Sequence, residues 1–283
     1  MTDVRYAHWE FRGEKFVGVL DDDRVRPFQL PAGQAKRGVL TVIEAIAEGL
    51  PLPTLQQKST DVQLVDLLAP IPRPRRNIFC IVKNYWSLVK EVGSETPREP
   101  VCYTKVPESV VGQRARVKSH ANLTQSVDYE AELGVIIGKQ GCDITEDEAM
   151  DHVFGYTIIN DICARDIQYR DSQWDLSKSL DTFCPMGPVI TTREAVDVGD
   201  LTIKLWVNDE LRQDGNTSDF IFSIPTVIAT LSRGMTLFPG DIISTGSPAG
   251  VGMCMTPPTY LKDNDSVRIS IPGIGELINT VED

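Results

Sequence analysis

Two glutamates, two residues apart in a run of strand-forming residues, constrain this chain more than any other feature. The segment Val127-Asp128-Tyr129-Glu130-Ala131-Glu132-Leu133 places Glu130 and Glu132 at i and i+2. Side chains alternate faces along a strand, so this spacing predicts both carboxylates on one face. Neighbouring carboxylates repel unless something positive lies between them, and a divalent metal with oxygen ligands meets that need. The run Tyr156-Thr157-Ile158-Ile159-Asn160-Asp161 offers a third carboxylate at the end of another β-prone segment. Three carboxylates with no Cys or His beside them favour a hard cation, Mg²⁺ or Mn²⁺, over zinc. An isolated Glu-x-Glu is commonly a solvated pair on an exposed strand, so the rest of the chain has to decide.

Composition narrows the partners. With 28 basic and 40 acidic residues the net charge is −12, which argues against nucleic acid and anionic membranes as partners. It does not exclude a small anionic substrate, because a metal or a lysine can reverse the sign inside a pocket. The 283 residues, 41% of them hydrophobic, suffice to bury a core without disulfides. Cys80, Cys102, Cys142, Cys163, Cys184 and Cys254 form no C-x-x-C pair, so they read as buried thiols in a reducing, cytoplasmic setting. The start, Met1-Thr2-Asp3-Val4-Arg5, lacks the apolar stretch of a secretion signal. No apolar run approaches the ~20 residues of a membrane span.

Along the chain, residues 1–70 read as a small unit and 71–283 as the main, catalytic one. Phe16–Leu20 and Arg24–Phe28 flank the acidic turn Asp21-Asp22-Asp23 and predict a hairpin. Val39–Gly49 has helical spacing with a glycine stop. The stretch Ala69-Pro70-Ile71-Pro72-Arg73-Pro74 then rules out helix or central strand. Thr145-Glu146-Asp147-Glu148 predicts a capped helix ending before Gly155. A second helix is expected from Ser223 to Gly234, with Pro225 in its first turn. Strands are expected over Leu201–Val207, Asp241–Thr245, Val267–Ile271 and Glu276–Val281. The class is mixed α+β and β-rich, without regular β-α alternation.

Over residues 77–281 the chain resembles the fumarylacetoacetate hydrolase family. The motifs run in order: Asn84-Tyr85; Tyr103-Thr104-Lys105-Val106-Pro107-Glu108-Ser109; Asp128-Tyr129-Glu130-Ala131-Glu132-Leu133; Gly155-Tyr156-Thr157-Ile158-Ile159-Asn160-Asp161; Ala164-Arg165-Asp166; Gln173-Trp174; Lys178-Ser179; Asp181 to Pro188; Asn208-Asp209-Glu210; and Thr245 to Gly252. The resemblance implies a β-roll fold with a small N-terminal β-containing domain, one divalent metal, a homodimer, and a small 2-oxo acid substrate. Carried over by position, it makes Glu130, Glu132 and Asp161 the metal ligands and Lys178 the active-site lysine. Gln173 and Thr245 would line the substrate pocket, and Tyr85 is a further contact candidate. Mg²⁺ is the expected metal, with Mn²⁺ or Ca²⁺ as alternatives. Arg165 is left open between a substrate carboxylate and a neighbouring acid such as Asp166.

The chemistry suits those residues. A 2-oxo acid chelates a metal through its carboxylate and keto oxygens, and breaking a bond at C3 leaves an enolate that a Lewis acid stabilises. An ammonium such as Lys178 adds a second positive group at the oxyanion. One departure matters. Hydrolytic members carry a histidine on a lid helix after Asn-Tyr, paired with a glutamate three residues on. Here the histidine position is Leu88, while Glu91 is retained. Leucine cannot take a proton, and general-base help is worth ~10²–10⁴ in rate. His120 precedes the ligand strand and is an alternative base. His8 lies in the N-terminal unit, and His152 reads as structural.

Three readings follow. Hydrolysis of a C–C bond in a 2,4-dioxo acid, with Glu91 or a metal-bound water as base, leads on family grounds. The alternative is enolate chemistry without water, in a decarboxylase, an isomerase or tautomerase, or a C–C bond-forming enzyme. A non-catalytic metal-binding homologue is the third.

Overall fold

The computed structural model describes residues 3–283. Met1 and Thr2, which open the segment read as lacking a secretion signal, lie outside the described residues. A twelve-stranded sheet dominates the molecule. At its centre runs Ala131–Ile137, antiparallel to Val153–Asn160 on one side and to Ile242–Ser244 on the other. Every residue of Ala131–Ile137 and of Val153–Asn160 is buried. Period-2 alternation explains how. Leu133, Val135 and Ile137 enter one apolar core, and Ile136 the other, on the opposite face of the sheet.

Beyond Ile242–Ser244 the sheet continues through Ile78–Ile81, paired in parallel, and ends on Cys102–Lys105. In the other direction Val153–Asn160 pairs with Cys184–Thr192. That strand in turn receives the N-terminal strand Arg5–Phe11 at Arg5 and Tyr6. The predicted hairpin forms as Glu14–Asp21 against Arg24–Pro27, with Leu20 opposite Val25. It lies next to Arg5–Phe11 in the same sheet. A separate five-stranded sheet holds Thr202–Val207, Glu210–Asn216, Ser266–Ile271, Gly275–Glu282 and Arg116–Lys118. The proline run carries neither helix nor strand, yet it is no free tether. Pro70 and Ile71 are buried, and the Pro70 carbonyl accepts from the Val39 N–H at 2.7 Å.

Helices are few and short. Leu40–Ala47 covers the first predicted helix. The capped helix after Thr145 is a single turn, Glu146–Ala149, which tightens into a 3₁₀ turn over Met150–His152. It is shorter than its signature suggested because the chain must enter the strand at Val153. Thr145 Oγ1 still donates to Glu148 Oε2 at 2.8 Å. Ile224–Ser232 forms as expected, with Ser223 Oγ accepting from the Thr226 N–H at 3.2 Å and Pro225 in the first turn. No helix among the described residues is long and apolar enough to cross a membrane.

Of the cysteines, Cys80, Cys163 and Cys184 are buried as expected, Cys102 and Cys254 are partly covered, and Cys142 is exposed. Cys142 lies in the surface segment that leads to the helix Glu146–Ala149.

Ser223 gives a clean test of local folding. Ser223→Ala removes the cap acceptor and is expected to cost about 1 kcal/mol. The urea midpoint should fall while the m-value stays unchanged.

Candidate active site

The three carboxylates meet because of strand register. Ala131 pairs with Asn160, so the residue before one strand faces the residue after the other. The Asp161 N–H donates to the Glu130 carbonyl at 2.8 Å, and Asn160 Oδ1 accepts from the Glu130 N–H at 3.1 Å. Glu132 lies within the strand. Glu130 lies in a short break between Val127–Asp128 and Ala131–Ile137, not in an unbroken strand. The side chains nonetheless converge, with one ligand atom from each of Glu130, Glu132 and Asp161 within 4.8 Å of the others, all three residues buried.

Their partners differ. Glu130 Oε1 accepts from Arg165 Nη2 at 2.6 Å, and its Oε2 from Lys178 Nζ at 2.5 Å. Asp161 Oδ1 accepts from Lys105 Nζ at 2.7 Å, while Oδ2 takes the Tyr103 hydroxyl and lies 3.2 Å from Lys178 Nζ. Burial alone would raise the Asp161 carboxyl, but Lys105 and Lys178 bring it down to about 2. Glu132 has no such cation. Its Oε2 accepts from Ser244 Oγ at 2.6 Å and from the Gly246 N–H at 2.8 Å. Burial, then repulsion from Asp161 and Glu130, holds its carboxyl well above the usual range. An all-oxygen, buried and self-repelling donor set of this kind fits a hard divalent cation. A φ of +97° at Gly246 lets its N–H reach Glu132, and a Cβ there would stand 2.8 Å from Asn84 Cβ.

The fold also brings in thiols that lie far away in sequence. Cys80 and Cys184 lie close enough for Asp161 to act on them. Burial chiefly, and Asp161 in addition, raises both, Cys184 to about 12.

A cavity of about 200 Å³ opens over Glu130, Glu132, Arg165 and Lys178, walled by Ile81, Leu88, Val92, Trp174 and Met253. Lys178 is buried at its rim. Asp161 and Glu130 outweigh burial and keep it an ammonium. Arg165 is paired with neighbouring acids, but not with Asp166. Its Nε donates to Asp128 Oδ2 at 2.8 Å and its Nη2 to Glu130, while Asp166 accepts from Thr124 Oγ1 at 2.6 Å.

Other candidates lie outside this cavity wall. Gln173 is exposed, and its neighbour Trp174 takes the place in the wall. Thr245 is buried with its hydroxyl donated to the Leu133 carbonyl at 2.9 Å. Ser247, two residues on, is the group that reaches the cavity. Tyr85 is fully buried edge-on to Phe220, with no partner for its hydroxyl among the described residues. Glu91 is exposed, and both its oxygens accept from the Gly250 N–H, at 3.1 and 2.9 Å. His120 binds the Asp181 carbonyl at 3.0 Å and packs on Phe183, outside the cavity wall.

Sequence reasoning assigned no role to Tyr103, Lys105 or Asp128, although each stands in a motif it singled out. Tyr103 and Lys105 are two apart on the strand Cys102–Lys105, so both reach Asp161 from one face. The same i, i+2 logic that exposed the glutamates applies to them. Asp128 ties Arg165 to the Gly252 and Met253 N–H groups, at 2.8 and 3.0 Å.

Residues 77–282 match the family model described as Fumarylacetoacetate (FAA) hydrolase C-terminal. The chain belongs to the fumarylacetoacetate hydrolase family. It is 43% identical over 304 residues to oxaloacetate tautomerase YisK of Bacillus subtilis, covering 98% of this chain and 100% of that one. It is 42% identical over 220 residues to the mitochondrial oxaloacetate tautomerase fahd2 of Xenopus laevis, covering 77% and 68%. A solved fumarylacetoacetate hydrolase from Exiguobacterium antarcticum superposes with a TM-score of 0.87 at 40% identity, covering 99% of both chains. The protein is an enzyme of this family with its β-rich fold.

The helix Trp86–Val92, expected from the sequence resemblance to be the lid, places Leu88, 7% exposed, in the cavity wall.

Metal binding to the triad is directly measurable. At 100 times Kd, Mg²⁺ or Mn²⁺ should stabilise the fold by ~2.7 kcal/mol. Calorimetry should show a higher Tm on adding metal. Glu132→Gln should abolish that increase; a variant still stabilised like the wild type would remove Glu132 from the ligand set.

Proposed function

We propose that this enzyme interconverts the keto and enol forms of a small 2-oxo acid of the oxaloacetate class. The observation that carries the reading is the wall over the carboxylate triad. Leu88 stands where a hydrolase would carry its histidine base, Val92 lines the wall beside it, and Glu91 is turned to the Gly250 N–H. Glu130, Glu132 and Asp161 would hold a divalent cation, which supplies Lewis-acid stabilisation of the charge a 2-oxo acid develops when C3 loses its proton.

The chain's own groups do the rest. Lys178, held as an ammonium between Glu130 and Asp161, faces the cavity; in ketonisation it gives one proton to C3 and takes the enol hydroxyl's proton in exchange, and the reverse exchange forms the enol, so that it ends each turnover as an ammonium. Arg165 fixes Glu130 through Nη2 and is itself fixed by Asp128. Ile81, Leu88 and Val92 exclude water, so the enolate is reprotonated and not captured. Hydrolysis, placed first on family grounds, needs an activated water that these apolar side chains do not provide. The names of the tautomerase relatives support the same choice.

The test follows the loss of the oxaloacetate enol by its ultraviolet absorbance with Mg²⁺-loaded protein, alongside proton NMR of acetylpyruvate. Accelerated ketonisation, lost in Glu132→Ala and reduced about 10²-fold or more in Lys178→Met, is expected without acetate formation. Acetate and pyruvate appearing from acetylpyruvate, with no acceleration of ketonisation, would return the enzyme to the hydrolases. Leu88→His restores the missing base beside the retained Glu91 and is expected to open a hydrolytic path.

A further inference from the structure

Three cationic residues line the cavity: Lys83, Arg165 and Lys178. Arg165 and Lys178 are committed to carboxylates of the site. Lys83 makes no ion pair with any carboxylate among the described residues. Partly exposed and without a carboxylate partner, Lys83 is free to meet an incoming anion.

The backbone holds it there. Lys83 has a φ of +51°, a left-handed conformation uncommon for a side chain of this size. The next residue pins the turn: Asn84 Nδ2 donates to the Phe222 and Thr245 carbonyls at 3.1 and 2.9 Å, and its Oδ1 accepts from the Phe222 N–H at 2.8 Å. The loop carrying Ser247 abuts the same turn, since a Cβ at Gly246 would lie 2.8 Å from Asn84 Cβ. Ser247 Oγ accepts from Gln213 Nε2 at 2.8 Å, which leaves its own hydrogen to donate into the cavity. Lys83 and Ser247 thus offer an ammonium and a hydroxyl on adjoining stretches of one wall.

We propose that Lys83, assisted by the Ser247 hydroxyl, binds the distal carboxylate of the substrate and so selects dicarboxylic over monocarboxylic 2-oxo acids. The assignment rests on the 2-oxo acid reading of the site and specifies its substrate class. The cavity volume agrees: about 200 Å³ lies below the ~300–1,000 Å³ of drug-sized pockets and suits a short diacid. The charge balance agrees as well, because the 1-carboxylate and keto oxygen of such an acid engage the triad's side of the cavity, leaving the second carboxylate for a separate cation.

The test measures binding, so it does not depend on turnover. Isothermal titration of the Mg²⁺-loaded protein compares malate with 2-hydroxybutyrate, unreactive hydroxy acids of equal chain length with and without the distal carboxylate. The wild type should prefer malate by about tenfold or more, as a charge-assisted hydrogen bond warrants. Lys83→Met should remove the preference, and so should Lys83→Asn, a variant whose residue tolerates the left-handed backbone. Lys83→Arg should retain it, and Ser247→Ala should weaken it. A wild type with no preference, or one whose preference survives both neutral variants, overturns the proposal. A preference that depends on Lys83 in a protein that does not accelerate enol loss upholds the carboxylate site and removes only the tautomerase reading.

Discussion

The register between Ala131–Ile137 and Val153–Asn160 is the constraint on which the site depends. Pairing Ala131 with Asn160 sets Glu130 across from Asp161 at the point where both strands end. A slip of one residue would turn Glu132 into the opposite core and expose the apolar positions to the wrong face. The register is therefore protected by the hydrophobic cores on both sides of the sheet, in which Leu133, Val135, Ile136, Ile158 and Ile159 take alternate faces. Catalytic geometry and core packing are consequences of a single pairing, which is why the carboxylates can be buried so deeply.

Burial makes the charge balance severe. Asp128, Glu130 and Asp161 meet Lys105, Arg165 and Lys178 in direct contacts, which leaves Glu132 as the carboxyl of the triad with no cation of its own. A divalent cation at the triad would reverse the local sign to positive and suit an anionic substrate. With that cation bound, a protein carrying −12 overall would present an attractive pocket to a small acid. Tyr103 and Lys105 on one side, and Asp128 through Arg165 on the other, keep the ligand carboxylates from rotating away.

In the proposed reading the apolar wall is what separates this enzyme from hydrolytic members of the family. Substituting leucine for a base removes a proton acceptor and also dries the space above the triad. Those changes act together, since an enolate that meets no activated water has reprotonation as its remaining course. Glu91 fastens the helix Trp86–Val92 to Gly250 through its carboxylate.

By itself the sequence determined the β-rich class, the hairpin, the helix after Ser223 and the carboxylate triad. These are local signals, carried by period-2 spacing, capping residues and side-chain chemistry, and local signals survive in one dimension. Tertiary structure alone decided what lies around the triad. Gln173 and Trp174 are adjacent in the chain, yet only Trp174 enters the cavity wall, because a turn outside regular structure fixes no periodicity. Thr245 spends its hydroxyl on the Leu133 carbonyl, and Ser247 reaches the cavity in its place. Lys105 lies 56 residues from Asp161, and Cys80 and Cys184 come close to it as well. Such long-range meetings are set by strand order and sheet twist, which no window of sequence contains.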